Sequence, residues 1–355
     1  MRSTAKHMLV GLFLACFAGV LVAFNASKPR ILVAHASSEK SRWVERVDAG
    51  IDETLASNRR PLTVRRHYLR LDRLVRPEAR AAAVAEARRA IEIVDPDLLI
   101  AVDDESNEAV ASGYVGRSRP RIIYVSIDQP PERYGYPGSA GNVTGIREEL
   151  PLAAIRDAVS AIRAGGVARI AAIGVENDTG RAERMQVEAF DWSPHELLAS
   201  ATLGDLAAWK RFVESEASRA DVLLVLSSAG LARDTGSSEI TTGPEVAAWV
   251  EEHASALPIG VHAGFVADGG GLAISPAGAD YGSRGMAMAL EWLDDLDGPP
   301  PPPMTSAHFD VSVNPARLRA RGVVLPAIYE EAARAAGSLF LNPVPYRIRS
   351  RGSRR

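Results

Sequence analysis

Short apolar runs alternate with helical patterns along most of the chain from Arg30 onward, and this alternation is the strongest constraint on its fold. Such an order of strand and helix patterns indicates a parallel α/β architecture. Each run is apolar throughout, as expected of a strand whose sheet is covered on both faces. We predict strands at residues 30–35, 97–102, 121–127, 169–175, 221–226 and 258–262.

Between these runs, apolar residues recur at the spacing of an α-helix. Val44, Val47, Ile51 and Leu55 recur every three or four positions, as do 84, 87, 91 and 94, and again 152, 155, 159 and 162. Three such strand and helix units precede GNVTG (141–145) and three follow it. The 355 residues are therefore expected to form two α/β lobes, each large enough for its own core.

The first 26 residues differ in composition from everything that follows. Arg2, Lys6 and His7 precede a stretch without charge from Met8 to Phe24. This pattern is typical of an export leader, and its length is at the short limit of a membrane span. The only cysteine, Cys16, lies in FLAC and is a candidate for lipidation. Cleavage, acylation and a retained anchor stay open, and each places the body outside the cytoplasmic membrane.

Two adjacent carboxylates end the second predicted strand, in AVDD. We expect Asp104 to be the N-cap of the following helix, which leaves Asp103 to bind an amine or hydroxyl of a ligand. After the first strand, Ser37 and Ser38 are expected at a helix N-terminus that could bind a carboxylate, although Ser41 could equally be only its cap. Trp43 is expected either in the core or as an apolar wall of the site.

Ligands of open parallel sheets bind beyond the carboxyl ends of the strands, and the same rule selects residues in the second half. These candidates follow the later strands: Glu176, Ser227, Ser228, His262 and Phe265. A single histidine at such a position, as His262 is, more often has a structural role than a ligand contact.

Several function classes lack a supporting pattern. The net charge of −3 gives no general attraction to nucleic acid. None of the seven histidines lies in a metal-binding motif, and neither a nucleophile elbow nor a phosphate-binding loop is found. We therefore expect no metal, no cofactor and no enzyme activity.

Four sequence blocks resemble ABC-transporter substrate-binding proteins of the tryptophan/tyrosine-type group. They are PDLLIAVDDESNEAV, GNVTGIREELPL, GADYGSRGMAMALEWLDDLDGPPPPP and FDVSVNPARLRARGVVLP. The resemblance implies a type I periplasmic-binding-protein fold with two Rossmann-like lobes and three crossovers. It also implies a small organic ligand and an ABC permease as partner. We expect a monomer.

The sequence patterns and the resemblance together give boundaries and further candidate residues. Residues 1–29 would be the leader, 30–145 with 272–303 lobe 1, 146–271 with 304–346 lobe 2, and 347–355 a basic tail. The crossovers would be 143–146, 271–275 and 304–310. The remaining candidate ligand contacts are Asp128, Asn142, Thr144, Asp280 and Tyr281, with Asp280 as a possible helix cap.

The two aspartates of VDDES depart from the tryptophan-binding members, so we do not transfer tryptophan as the ligand. The acidic candidates instead favour an amine or hydroxylated ligand. The principal competitor is a membrane-anchored sensory receptor with the same binding fold. An enzyme would need a nucleophile or cofactor loop, and a repressor of the lactose-repressor type would need a DNA-binding segment where the leader stands.

Overall fold

A computed structural model describes residues 2–74, 76–136, 141–237 and 239–341. The chain begins with helix α1 (Arg2–Ala26). Its segment His7–Asn25 has a mean hydropathy of 2.3 and is long and apolar enough to cross a membrane, a property that N-terminal signal sequences share. Cys16 is exposed on this helix.

The first sheet has six strands in the order β11-β5-β4-β3-β1-β2. Strand β1 pairs in parallel with β2 and with β3, and β3 pairs in parallel with β4. Ile31 of β1 lies opposite Val64 of β2 and Leu98 of β3. The strands are β1 (Arg30–His35), β2 (Thr63–Tyr68), β3 (Leu98–Val102), β4 (Arg121–Ile127), β5 (Val143–Arg147) and β11 (Met304–Thr305).

The second sheet also has six strands, in the order β12-β10-β9-β8-β6-β7. Its neighbours are parallel except β10 and β12, which are antiparallel. The strands are β6 (Arg169–Val175), β7 (Glu196–Leu203), β8 (Val222–Val225), β9 (Leu257–Gly260), β10 (Leu272–Pro276) and β12 (Phe309–Val313).

Helices connect most of the consecutive strands, as parallel sheets require. The remaining helices are α2 (Arg42–Ser57), α3 (Pro77–Val94), α4 (Asp104–Ala109), α5 (Leu152–Ile162), α6 (Asp178–Ala189), α7 (Leu206–Ser215), α8 (Gly243–His253), α9 (Gly264–Ala267), α10 (Gly278–Trp292), α11 (Pro315–Ala320) and α12 (Ala327–Ala335). Short 3₁₀ helices span Leu71–Arg73, Ala111–Tyr114, Pro131–Tyr134 and Ala217–Arg219.

Burial on both faces of the second sheet explains why its central strands are apolar throughout. Along β6, Ile170 and Ala172 pack into one core, while Ala171 and Ile173 pack into a second core on the opposite face. Successive side chains of a strand point to opposite faces, so each face contributes its own hydrophobic layer.

All six predicted strands are present: three have the predicted ends, and the other three differ by one or two residues at an end. Polar edge strands β2 and β7 lack the apolar pattern that identified the others. In β2, for example, Arg65 is exposed and Arg66 half-buried. The predicted crossover at 271–275 is instead β10, a fully buried strand of the second sheet.

The chain divides into two compact units. Unit 1 comprises Met1–Val125, Pro131–Ile146 and Gly282–Pro303, and unit 2 comprises Ser126–Pro130, Arg147–Tyr281 and Met304–Arg355. The expected boundary at residue 272 is therefore wrong by ten residues, because β10 pairs with β9 and β12 and keeps 272–281 in unit 2.

One glycine of the GNVTG block is required by close packing between strands. A Cβ atom on Gly145 would lie 2.0 Å from the carbonyl oxygen of Tyr124, far inside van der Waals contact. Only glycine allows β5 to approach β4 so closely at this position.

Candidate functional site

Asp103 follows the last residue of β3 and adopts a strained backbone conformation. Its φ and ψ of 68° and 159° lie in a region used almost only by glycine. The amide N–H of Asp103 donates to Val125 O at 2.9 Å, which holds the turn against β4. The half-buried carboxylate accepts a hydrogen bond from Trp43 Nε1 at 2.7 Å. Trp43 is half-buried as well, so it lies beside the carboxylate and is not a core residue.

Asp104 is the first residue of α4, and the expected N-cap role is wrong. Asp103 occupies the cap position and its side chain makes no capping hydrogen bond. The carboxylate of Asp104 instead accepts a hydrogen bond from the Tyr134 hydroxyl. We define the unit 1 group as Trp43, Asp103, Asp104 and Tyr134.

The serines after β1 do not form a helix N-terminus. Helix α2 begins only at Arg42, with Ser41 at the cap position and no side-chain cap. Both the N–H and the hydroxyl of the buried Ser38 donate to the Asp72 carboxylate, at 2.9 and 3.0 Å. Ser38 therefore stabilises the loop, and Ser37 is half-buried beside it.

Asn142 and Thr144 serve the fold of unit 1. Both are 2 % exposed. Asn142 accepts from the Gly116 N–H and donates to Tyr114 O, each at 2.8 Å, while the Thr144 hydroxyl donates to Pro301 O at 2.6 Å. Both side chains bond to backbone partners and so have a structural role, and a ligand contact by either stays a prediction.

In unit 2 the carboxyl ends of β8 and β9 converge on a buried carboxylate of α6. Glu183 is fully buried, and its two oxygens have different partners. Oε1 contacts His262 Nε2 at 2.5 Å, and Oε2 accepts from the Ser227 N–H at 2.7 Å. The imidazole of His262 is 38 % exposed, so the pair presents one polar ring to solvent.

The charge state of His262 follows from its acidic neighbours. Burial alone would lower the pKa of His262, but the charge and hydrogen bond of Glu183, with the charge of Glu148, raise it to about 9. His262 is therefore an imidazolium at neutral pH. Glu148 is itself nearly buried and accepts a hydrogen bond from the Ser126 hydroxyl.

Asp280 and Tyr281 lie in the first two turns of α10. Asp280 is not the cap residue expected, because α10 already begins at Gly278. Its carboxylate contacts His308 Nδ1 at 3.1 Å and accepts from the Ser306 hydroxyl. Burial, together with the charge of Glu148, raises the pKa of Tyr281, which is therefore a neutral phenol. We define the unit 2 group as Ser126, Glu148, Glu183, His262, Asp280 and Tyr281.

The other predicted contacts of unit 2 have different surroundings. Phe265 is 9 % exposed and packs in the core, and a ligand contact by its ring stays a prediction. Glu176 is exposed and pairs with Arg181 and Thr202, whose hydrogen bonds lower its pKa. Ser228 and Asp128 are half-buried and stay predictions.

Solved structures share this architecture, whereas neither protein-family models nor curated proteins matched the chain. An ABC domain in complex with L-Trp from Streptococcus pneumonia has a TM-score of 0.59 and 17% identity, over 87% of this chain and 100% of that one. A substrate-binding protein with adhesive properties from Clostridium difficile, in a ligand-free open structure, has a TM-score of 0.63 and 15% identity, over 84% and 96%. A leucine-binding protein from Thermotoga maritima has a TM-score of 0.51 and 13% identity, over 75% and 83%.

The chain has the type I periplasmic-binding-protein fold. In this fold, the two polar groups occupy the strand ends at which open parallel sheets bind ligands. Within the described residues, no group of three or more His, Cys, Asp or Glu side chains could hold a metal ion. Both groups can instead donate and accept charge-assisted hydrogen bonds.

Two important residues of the unit 2 group were missed in the sequence. Glu183 shares the buried face of α6 with Gly180 and Val187, three and four residues away. A glutamate on an otherwise buried helical stripe was the signal that could have identified it. Glu148 follows β5 directly, but nothing in the run Arg147, Glu148, Glu149 shows which side chain turns toward His262.

Proposed function

We propose that this protein is an extracytoplasmic solute-binding protein that presents a small organic ligand to an ABC permease. The observation that carries the proposal is the pair of polar groups at strand ends of a binding-protein fold. Asp103 represents the first, and the Glu183–His262 pair the second. The similar solved structures support this role because all three are described as binding proteins or carry a bound amino acid.

The chemistry of the groups favours an amino-acid-like, amine or hydroxylated ligand. Carboxylates are the principal acceptors in both groups and suit an ammonium or hydroxyl donor. His262 adds a partly exposed imidazolium, which suits a carboxylate. A zwitterion matches both signs, so we place amino-acid-like ligands first.

We place the protein among binding proteins and not among enzymes. His262 and Glu183 resemble an acid–base pair, but both Glu183 oxygens are engaged and its side chain is fully buried. The pair is therefore suited to holding a fixed charge at the strand end.

A membrane-anchored sensory receptor is the second candidate, because α1 is long and apolar enough for a retained anchor as well as for a signal sequence. The 19-residue apolar segment His7–Asn25 could stay in the membrane after export. Mass spectrometry of the N-terminus of the exported protein separates the candidates. A chain cleaved near residue 26 or acylated at Cys16 supports transport, whereas an intact N-terminus supports sensing.

Thermal-shift screening of the full chain in nanodiscs tests ligand binding. A panel of amino acids, matched amines, polyols and plain carboxylates should contain a stabilising amino acid. Ligand at about 100 times its dissociation constant adds roughly 2.7 kcal/mol to stability. Asp103→Ala and His262→Gln then decide which group holds the ligand, with Arg319→Gln as an exposed control. If no member stabilises the protein, or if neither site variant alters binding, the proposal fails.

A further inference from the structure

A cavity of about 510 Å³ lies in unit 2, and none of the residues that line it belongs to the unit 2 group. Its volume is in the range of small-molecule sites, about 300 to 1,000 Å³. The lining comes from the segments Arg147–Ala154 and Ser306–Phe309 and from α6. It includes Arg147 and Glu149 but not Glu148, whose side chain contacts Ser126 instead.

Arg147 brings an unsatisfied cation to this cavity. Its half-buried side chain makes no hydrogen bond or ion pair with the described part of the chain, and its Nε is fully shielded from solvent. The terminal nitrogens of the guanidinium are not shielded in this way, so an incoming acceptor can form a charge-assisted hydrogen bond with them. The planar guanidinium fork matches the two oxygens of a carboxylate.

Gln186 adds a second donor with a fixed orientation. Its Oε1 accepts a hydrogen bond from the Leu150 N–H at 2.9 Å, so the amide nitrogen is the end left for another partner. Within the residues described by the structure, this Nε2 has no partner. Glu149 is the one carboxylate of the lining, and it disfavours a ligand with more than one negative charge.

The remaining walls are mainly apolar. They include Phe190, Phe309 and the start of α5, with Ser306 and His308 as their polar members. Phe309 is 44 % exposed, an unusual position for a large apolar side chain beside a cavity. Phe190 is partly buried and packs edge-on against Trp192. Two aromatic walls beside a single arginine suit a flat apolar body with one anionic end.

We propose that this cavity binds a small monocarboxylate with an aromatic body, with its carboxylate on Arg147 and its ring against Phe190 and Phe309. Ser306 and His308 of the lining also contact Asp280 of the unit 2 group, but Arg147, Phe190 and Phe309 belong to neither polar group. The proposal therefore does not depend on which ligand those groups bind. Phenylacetate is the simplest probe of this chemistry.

Isothermal titration of the full chain in phosphatidylcholine nanodiscs, in acetate-free buffer, tests the proposal. Phenylacetate should bind, and phenylacetamide, which has the same ring without the charge, should bind at least about tenfold more weakly. This comparison uses the unaltered protein and so does not depend on whether a variant folds. Absence of phenylacetate binding at millimolar concentration, or equal binding of the amide, would overturn the assignment.

Three variants locate the binding. Arg147→Gln should weaken phenylacetate at least about tenfold, since it removes a charge-assisted pair. Ala153→Trp should also weaken it because the indole occupies the exposed side of the cavity. Arg319→Gln removes an exposed arginine of the same unit and should leave the affinity unchanged. Equal affinities for Arg147→Gln and Arg319→Gln would refute the site, with circular dichroism confirming that each variant is folded.

Discussion

The strained backbone of Asp103 predicts an unusual order of stability between two substitutions. With φ at 68° and ψ at 159°, any residue with a Cβ is strained at this position, at a cost of about 1 to 3 kcal/mol. Asp103→Ala keeps this strain, whereas Asp103→Gly removes it. Glycine also makes the unfolded chain more flexible, which opposes the gain by about 0.4 to 1 kcal/mol.

The difference leaves Asp103→Gly more stable than Asp103→Ala by about 1 kcal/mol, within limits of about 0 and 2.6 kcal/mol. Both variants lose the hydrogen bond from Trp43, so this loss cancels in the comparison. Relative to the wild type, Asp103→Ala should be destabilised by about 1 to 2 kcal/mol, because the lost charge-assisted bond is only half-buried.

Guanidinium chloride unfolding, followed by circular dichroism, measures these differences from the transition midpoints. Asp104 provides the matched control, because it is the first residue of α4 and its helical backbone suits alanine, which is then favoured over the more flexible glycine by about 0.4 to 1 kcal/mol. The order should therefore reverse between the two neighbouring positions. Alanine at least as stable as glycine at position 103 would refute the reasoning from strain.

Three further predictions concern single interactions. The raised pKa of His262 stabilises the fold below about pH 6.5, and this stabilisation should be lost as pH rises through about 9. For this partly exposed ring we expect a loss of roughly 1 kcal/mol, absent in His262→Gln. Gly145→Ala should destabilise by about 3 kcal/mol or more, measured by chemical unfolding, because its Cβ would overlap Tyr124 O. Trp43→Phe should cost about 0.5 to 1.5 kcal/mol in the wild type but little in Asp103→Ala, as measured by a double-mutant cycle.

The sequence predicted the central strands because these strands carry the strongest physical signal. Strands such as β3 and β8 are buried on both faces and therefore read as uninterrupted apolar runs. Edge strand β2 has one neighbour only, so Arg65 and Arg66 can reach solvent, and the apolar pattern disappears. The same burial argument was not applied to β10, four of whose five residues were assigned to a crossover.

Site residues were harder to predict because a strand end fixes where a residue lies but not where its side chain points. The strand-end rule selected Asp103 and His262, and both belong to polar groups. It also selected Phe265, which the structure places in the core. The position of Phe265 depends on Gly270, because a Cβ atom at residue 270 would lie 2.3 Å from the Phe265 ring. Glycine at this position leaves the space that the ring occupies. Such long-range complementarity is invisible in a local pattern.

The Glu183–His262 pair is difficult to explain by stability alone. A buried ion pair often contributes less than apolar residues of the same volume, because both charges must be desolvated. Here the carboxylate is fully buried and held by Ser227 N–H, while the imidazolium keeps 38 % of its side-chain surface exposed. This asymmetry fixes the position of a positive charge and leaves it accessible. An oriented and accessible charge at a strand end suits ligand recognition, and this is why we propose that the ligand's acceptor group binds at His262.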